Sequence, residues 1–325
     1  MRVGILGAGA WGTAIAHVAA RNCPSVLIWA REQEVVDEIN AHRRNSRFLP
    51  DAQLSDVVSA TVIKEDLVGC DVIINATPTQ FIRSTVTSDI VKGAIVVNLA
   101  KGIERGTHLR VSEVLQHVAP FMRSYVVLSG PSHAEEVIKG MPTTVVCAGR
   151  DKDVVGQIQS ILMTPTFRVY ASDDVVGVEI GGALKNVIAI AAGIVDGLGM
   201  GDNTKAALIT RGLAEITRLG VALGADPQTF FGLAGLGDLF VTCTSRHSRN
   251  RAVGERIGRG ETLDQILSTM SAVAEGVPTT QAALELASAV GVELPITERV
   301  SKILLGEADA EESVRMLMMR PAREE

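Results

Sequence analysis

Lys185 is the residue of this sequence best suited to transfer a proton. It lies in the segment IGGALKNVIAI, and its helical neighbours three and four positions away are glycine or apolar. These neighbours are Gly181, Gly182, Ile188 and Ala189. They predict a lysine buried on an apolar helix face, where burial lowers its pKa toward neutrality and suits it to exchange a proton with a developing alkoxide. The alternative is a lysine whose side chain extends out of the helix to solvent.

Other polar residues could bind a phosphorylated substrate. Asn186 could orient a substrate oxygen or the amine, and Asp238, in the glycine turn GLGDL, could hold the lysine as an ammonium ion or bind a substrate hydroxyl. The run of Ser248, Arg249 and Asn250 lies just before a helical pattern. Paired side-chain donors, a hydroxyl and helix N-terminal amides could there grip a phosphate group. An arginine-rich turn exposed to solvent is the alternative.

A glycine-rich motif near the N-terminus has the form of a dinucleotide-binding loop. The motif, GAGAWG, includes Ala10 and Trp11, follows a predicted strand and precedes a good helix. In that context Gly7 permits a tight turn, Gly9 lets the backbone approach a pyrophosphate, and Gly12 lets helix and strand pack closely. We predict a nicotinamide dinucleotide site here, and an incidental glycine turn is the alternative.

The end of the second predicted strand bears on the choice between NAD and NADP. NAD sites usually place an acidic residue there to bind the adenosine ribose, whereas this chain has Arg31. Arginine can pair with a 2′-phosphate and so favours NADP, although the adjacent Glu32 keeps NAD use open. A solvated arginine at a helix start is the alternative.

Two further segments, NLAKG and SGPSHAEE, follow predicted strands. Doubly wound sheets bind ligands at that edge, so Lys101 is a candidate substrate ligand. No histidine has a carboxylate or serine at motif spacing, and no cluster of residues predicts a metal site.

The elements that must position these residues divide the chain into two domains. In the first half, short apolar strands alternate with helical patterns, as in a parallel sheet with helices on both faces. The candidate strands cover residues 2–6, 25–29, 71–75, 94–99, 125–128 and 143–147. After about residue 173 the strand patterns stop and helices take over, several with proline in the first turn. We predict a doubly wound α/β Rossmann domain over 1–174 that binds the dinucleotide, and an all-α substrate-binding domain over 175–325.

Composition excludes several classes of protein. The 325 residues are 46% apolar and 21% charged, which is typical of a globular chain too long for one core. The net charge of -6 argues against nucleic acid or an anionic membrane as a partner. Residues 175–195 are apolar, but Glu179 and Lys185 within them argue against membrane insertion. Four widely spaced cysteines suggest neither a disulfide framework nor a zinc site, so we expect a reduced, cytoplasmic protein.

Taken together, the motifs resemble those of the bacterial NAD(P)-dependent glycerol-3-phosphate dehydrogenases. The resemblance rests on GAGAWG, NLAKGIE, LSGPSHAEEV, ALKNVIAI, GDNTKAALITRG, GLGDLFVTCTSRHSRNR and AEGVPTT, which occur in order from Met1 to beyond Glu275. One departure is His133, where this family more often has phenylalanine. The resemblance implies reduction of dihydroxyacetone phosphate to sn-glycerol 3-phosphate with NADPH or NADH, and a product used in phospholipid synthesis.

The resemblance also implies roles for individual residues. Lys185 would be the proton donor and acceptor. The substrate would be surrounded by Lys101, Gly130, Ser132, Asp238, Ser248, Arg249 and Asn250. The cofactor would contact Ala10, Trp11, Arg31, Lys101, Ala134, Arg249, Val273 and Glu275, besides the three glycines of the motif. The roles of Ala134, Val273 and Glu275 rest on the resemblance alone.

Two other functions fit parts of the pattern. A hydroxyacid dehydrogenase of the 6-phosphogluconate or hydroxyisobutyrate type would share the two domains and a lysine, but the Ser248 to Asn250 run with GDNTKAALITRG argues against it. A cofactor-binding sensor without turnover would keep GAGAWG but would not need Lys185 and Asp238 together. We expect a homodimer through the apolar helices of the second domain, although no stripe of residues identifies the interface.

Overall fold

The computed structural model of the chain describes residues 1–270 and 273–319, and the chain forms two compact units. The first unit comprises Met1–Lys101 and Leu109–Glu179, and the second comprises Gly102–His108 and Ile180–Glu325. The units thus separate at Glu179, a few residues after the boundary that we predict at 174/175. The short segment Gly102–His108 belongs to the second unit although it lies within the first half of the sequence.

The first unit is built on one eight-stranded sheet with the strand order β3-β2-β1-β4-β5-β6-β7-β8. Its strands are β1 Arg2–Leu6, β2 Ser25–Trp29, β3 Val58–Thr61, β4 Val72–Asn75, β5 Ile95–Asn98, β6 Ser124–Ser129, β7 Thr143–Ala148 and β8 Phe167–Ser172. Its helices are α1 Ala10–Ala19, α2 Gln33–His42, α3 Ile82–Thr85, α4 Ser88–Val91, α5 Val111–Val118, α6 Ala134–Val137 and α7 Lys152–Leu162. The chain winds outward from β1 in both directions, so the predicted doubly wound fold is confirmed.

Helices cover both faces of this sheet. One buried cluster joins the strands to α1, α2 and α7, with Ile15, Ile39 and Ile158 among its members. A second cluster packs α3, α4 and α5 against the other face. The central strands β4 and β5 are buried at every position. Burial on both faces is why these strands are apolar at successive residues.

Two strands and one strand direction differ from the sequence prediction. The sequence pattern does not predict β3 and β8, which are the edge strands and alternate buried with exposed residues. An edge strand half exposed to solvent lacks the continuous apolar run that marks a central strand. Strand β7 pairs antiparallel with β6, although the other pairs are parallel. The chain between them contains only the four-residue α6, too short for the usual crossover helix of a parallel pair.

The second unit is helical in its described part, as predicted. Its helices are α8 Val175–Gly197, which begins at the end of the first unit, α9 Gly201–Ala222, α10 Asp238–Thr244, α11 Arg249–Gly258, α12 Leu263–Thr269, α13 Gly276–Ala289, α14 Pro295–Leu304 and α15 Ala310–Met318. Pro295 opens α14 as its first residue, where the missing proline N–H costs no hydrogen bond.

Helix α8 is long and apolar enough to cross a membrane, but its apolar window is entirely buried inside the protein. The Asp174 carboxylate caps the helix by accepting from the Gly177 amide at 2.8 Å. The charge of Glu179 within it is compensated by Arg110 at 2.9 Å and by hydrogen bonds from Ser112 and Tyr125. Burial nevertheless raises the pKa of the Glu179 carboxyl. Helix α8 is therefore a buried core helix, and the Glu179 carboxyl near its start is paired with Arg110, Ser112 and Tyr125.

Candidate active site

Lys185 is buried in the second unit, with only 6% of its surface exposed. Its Nζ donates to the carboxylate of Asp238 and to the Thr242 Oγ1, the latter at 2.8 Å. Asp238 is 1% exposed. The sequence predicted the burial of the lysine and named Asp238 as a possible partner, but it did not identify Thr242.

Glycine contacts bring these three side chains together. A Cβ at Gly181 would lie 2.7 Å from the Ala234 carbonyl oxygen, so the glycine lets the turn before α10 approach the α8 backbone. Lys185 lies one helical turn after Gly181 and therefore on the same face. Asp238 begins α10, and Thr242 lies one turn later on that helix. The Lys185 ammonium thus contacts Asp238 and Thr242, which lie on the same face of α10.

The carboxylate of Asp238 opposes the effect of burial on the protonation state of Lys185. Burial disfavours an ammonium ion, whereas a carboxylate in direct contact favours it. The Thr242 hydroxyl accepts from the ammonium and donates to the Asp238 carbonyl oxygen at 2.6 Å, which fixes its orientation. Burial raises the pKa of the adjacent Cys243 thiol to about 12, so this group stays neutral beside the pair. The arrangement holds a desolvated ammonium ion in one orientation.

A second set of predicted residues meets at the start of α11. The Ser248 hydroxyl caps the helix by accepting from the Arg251 amide at 3.2 Å. Arg249 is the first helical residue and is exposed. Asn250 is buried, donates to the Asn186 Oδ1 at 2.9 Å and accepts from the Gly276 amide at 2.9 Å. The residue after the lysine is therefore joined directly to the predicted phosphate-binding run.

Helices α8 and α11 cross at backbone contact through four glycines. A Cβ would lie 2.0 Å from the Arg251 oxygen at Gly193 and 2.3 Å from the Glu255 oxygen at Gly197. The glycines of α11 that face α8 are Gly254 and Gly258, and a Cβ at Gly254 would lie 1.9 Å from the Ile190 oxygen. No other residue type allows this approach, so the glycines set the distance between the helix of Lys185 and that of Asn250.

A cluster of charged side chains links α8 and α11 near the end of α8. Asp196, near the end of α8, accepts from Arg251 Nε at 2.7 Å and from Arg251 Nη2 at 2.6 Å. Lys205 of α9 pairs with the other oxygen of this carboxylate. No sequence motif indicates this cluster, since Asp196 and Arg251 are 55 residues apart.

The glycine-rich loop of the first unit has the predicted geometry. Gly7 has a φ of +109°, a conformation that side chains rarely adopt. A Cβ at Gly12 would lie 1.9 Å from the Gly7 oxygen, whereas a Cβ at Gly9 would meet nothing within 4 Å. The residue before α1 is Gly9, which has no side chain to cap the first amides of that helix. This glycine-rich cradle at a helix N-terminus fits a dinucleotide pyrophosphate.

Other predicted cofactor residues surround this part of the first unit. Arg31 follows β2, its side chain is 82% exposed, and it pairs with Glu32 at 2.9 Å. Trp11 is half-buried and lies against Phe167, with ring centroids 6.4 Å apart. Ala134 is buried and begins α6. The arginine side chain is therefore accessible to a phosphate group at the end of β2.

Lys101, Gly130 and Ser132 meet in the first unit. Lys101 Nζ donates to the Gly130 carbonyl oxygen at 3.3 Å, and Ser132 Oγ donates to the same oxygen at 2.9 Å. Gly130 has a φ of +138°. The structure thus joins Lys101, a candidate substrate ligand from its place after a predicted strand, to Gly130 and Ser132, whose roles the family resemblance implies.

The last two predicted cofactor residues lie just before α13 in the second unit. Glu275 immediately precedes the helix, and Val273 is 41% exposed. Their role in binding the cofactor stays a prediction.

Comparisons with known proteins bear on both units. Residues 2–155 match the family model for the NAD-dependent glycerol-3-phosphate dehydrogenase N-terminus, and residues 174–315 match the model for its C-terminus. A glycerol-3-phosphate dehydrogenase (NAD(P)+) of Macrococcus caseolyticus is 50% identical over 326 residues, covering 98% of each chain. That of Geobacillus kaustophilus is 50% identical over 329 residues, covering 99% of this chain and 96% of the relative.

Solved structures show the same relationship. The glycerol-3-phosphate dehydrogenase of Coxiella burnetii superposes with a TM-score of 0.91 at 35% identity, covering 98% of this chain and 99% of the other. The enzyme of Saccharomyces cerevisiae superposes with a TM-score of 0.83 at 28% identity, with the same coverage. The resemblance stated from the motifs is confirmed. This chain belongs to the NAD(P)-dependent glycerol-3-phosphate dehydrogenase family and is an oxidoreductase that uses NAD or NADP.

Proposed function

We propose that this protein reduces dihydroxyacetone phosphate to sn-glycerol 3-phosphate with NADPH or NADH, and that Lys185 exchanges the proton. The observation that carries the proposal is the buried lysine whose ammonium group is oriented by Asp238 and Thr242. A proton donor fixed in a desolvated site acts where charge develops in the transition state. The relatives, which are glycerol-3-phosphate dehydrogenases, supply the substrate class.

Lys185 acts as general acid in this direction. A nicotinamide bound at the glycine-rich loop would supply the hydride that reduces the carbonyl carbon C2. Lys185 gives one proton to the carbonyl oxygen as negative charge develops there, and the resulting amine regains a proton from solvent. In the reverse reaction the neutral amine accepts the hydroxyl proton. Asp238 and Thr242 keep Nζ in one place through both directions, since each contacts it directly.

The start of α11 holds the substrate phosphate. Arg249 is exposed and supplies a planar pair of donors, which match a phosphate better than a lysine would. An amide side chain has two N–H donors, and the bond to Asn186 uses one from Asn250, leaving the other for the ligand. Ser248 adds a hydroxyl, and Asn186 fixes the run relative to Lys185. Anchoring the phosphate makes the position of the carbonyl group reproducible.

The remaining residues complete the substrate and cofactor contacts. In the proposal Lys101, Gly130 and Ser132 contact substrate, and Lys101 and Arg249 also approach the cofactor. The glycine loop, with Ala10, Trp11, Ala134, Val273 and Glu275, binds the cofactor. Arg31 favours NADP over NAD through the 2′-phosphate. We further propose a cytoplasmic homodimer whose product supplies phospholipid synthesis.

The decisive experiment follows the absorbance of NADPH and NADH with dihydroxyacetone phosphate, in wild type and in Lys185→Ala. We expect substrate-dependent oxidation that falls by at least about a hundredfold in kcat in the variant, because a general acid is removed. Lys185→Ala should still bind NADPH, which shows that the variant is folded. Folded wild-type protein that binds NADPH but oxidises neither cofactor would contradict the substrate assignment.

The same assay tests Arg31. We expect Arg31→Ala to raise the KM for NADPH about tenfold and leave the KM for NADH unchanged, because one charge-assisted hydrogen bond is lost only with the phosphorylated cofactor. Equal changes for both cofactors would show that Arg31 does not contact the 2′-phosphate.

A further inference from the structure

Asn45 lies beneath the glycine-rich loop of the first unit and is completely buried. Its Nδ2 donates to the Ala8 carbonyl oxygen at 2.8 Å and to the Thr13 Oγ1 at 2.7 Å. Thr13 Oγ1 in turn donates to the same Ala8 oxygen at 3.3 Å. The carbonyl between the first two glycines of GAGAWG therefore accepts two hydrogen bonds from the protein interior.

The segment that carries Asn45 is itself firmly held. The Leu49 amide donates to the Asn45 carbonyl oxygen at 2.9 Å, and the Leu54 amide donates to the Arg43 oxygen at 2.9 Å. Leu49 and Leu54 are buried in the same core cluster as α1. The side chain of Asn45 thus projects from a rigid segment, so its two donated bonds determine the orientation of the Ala8 carbonyl.

We propose that Asn45 is a positioning residue for cofactor binding, which turns the Ala8 carbonyl inward so that the Gly9 N–H faces the cofactor pyrophosphate. In a planar trans peptide the C=O and N–H bonds point in opposite directions. With the Ala8 oxygen held toward Asn45, the Gly9 N–H of the same peptide points away from Asn45. The space beside Gly9 is open, since a Cβ on Gly9 would meet nothing within 4 Å. A phosphate is stabilised by such an amide at a helix N-terminus.

The hydrogen-bond inventory of Asn45 supports this role over simple packing. Its Oδ1 has no hydrogen-bond partner among the residues that the structure describes. An unsatisfied buried oxygen costs stability that an apolar side chain of similar size would not. The asparagine contributes two donated hydrogen bonds. One goes to the Ala8 carbonyl of the loop, and the other goes to Thr13, whose hydroxyl also donates to that carbonyl.

The inference rests on the proposed placement of the cofactor at this loop, so its test measures binding by parts of the cofactor. Dissociation constants are measured for NADPH, for ADP-ribose and for adenosine 2′-monophosphate, which lacks the pyrophosphate. We expect Asn45→Ala to weaken NADPH and ADP-ribose about tenfold, the worth of one well-placed hydrogen bond. Adenosine 2′-monophosphate should bind within about twofold of wild type, since it does not reach the loop amides.

Thr13 provides an independent variant and its control. Thr13→Val removes the second donor to Ala8 and should reproduce the selective loss, whereas Thr13→Ser keeps the hydroxyl and should bind all three ligands as wild type does. This pair also serves if Asn45→Ala does not fold. Unchanged NADPH binding in a folded variant, or equal losses for all three ligands, would overturn the inference. Wild-type protein that fails to bind NADPH at all would instead refute the proposed function.

Discussion

Substituting Gly254 by alanine tests whether the glycine crossing sets the geometry of the site. An ordinary contact for a new Cβ begins at 3.4 Å, but at Gly254 it would lie 1.9 Å from the Ile190 oxygen, so α11 must move by about the 1.5 Å difference. That movement would break the 2.9 Å hydrogen bond between Asn186 and Asn250, which lies one turn earlier on α11. We expect kcat/KM for dihydroxyacetone phosphate to fall about a hundredfold, as for other misplacements of this size. We expect the free energy of unfolding to fall by about 1–3 kcal/mol through overpacking.

Gly156→Ala is the matched control. Gly156 is exposed in the interior of α7, and a Cβ there would meet nothing within 4 Å. The same chemical change should stabilise the protein by about 0.5–1 kcal/mol through helix propensity and leave kinetics unchanged. Thermal unfolding and steady-state NADPH oxidation are measured for both variants. If Gly254→Ala matches Gly156→Ala in stability and keeps wild-type kcat/KM, close packing of α8 on α11 does not position the site.

Three further predictions concern two buried carboxyl groups and one buried hydroxyl. Glu215 of α9 accepts hydrogen bonds from the Ile296 and Thr297 amides, yet burial raises its pKa from 4.5 to about 7. Its protonated form is therefore favoured by folding, and this contribution is complete below pH 4.5 and lost as the pH rises through 7. Between pH 4.5 and 7, the free energy of unfolding of wild type, measured in urea, should fall by up to about 3 kcal/mol relative to that of Glu215→Gln. A difference between the two proteins that stays constant over this pH range would contradict the raised pKa. Asp238→Asn should lower kcat by about a hundredfold or more. Thr242→Val should lower kcat about tenfold, whereas Thr242→Ser should keep a kcat near that of wild type. A Thr242→Ser variant as impaired as Thr242→Val would show that the shape of the side chain matters and its hydroxyl does not.

Local sequence patterns predicted the fold class and much of the site because they record local conformation and burial. The apolar neighbours of Lys185 at helical spacing predicted its burial, and the glycines of GAGAWG predicted a turn, an open backbone and a close helix. The central strands were recognised because burial on both faces makes them continuously apolar. The edge strands β3 and β8 were missed because exposure to solvent on one face removes that pattern.

Tertiary structure alone decided which distant residues meet. Lys185 and Asp238 are 53 positions apart, Lys185 and Thr242 are 57 apart, and Asn45 and Ala8 are 37 apart. No local pattern records such distances, because they depend on the path of the chain and on how closely helices pack. The sequence by itself determined that Lys185 would be buried and that a glycine-rich loop would leave the N-terminus of the next helix accessible to a ligand. The packing of α8 against α10 and α11 decided that the buried lysine has a carboxylate and a hydroxyl as partners, since only glycine contacts bring those backbones close enough.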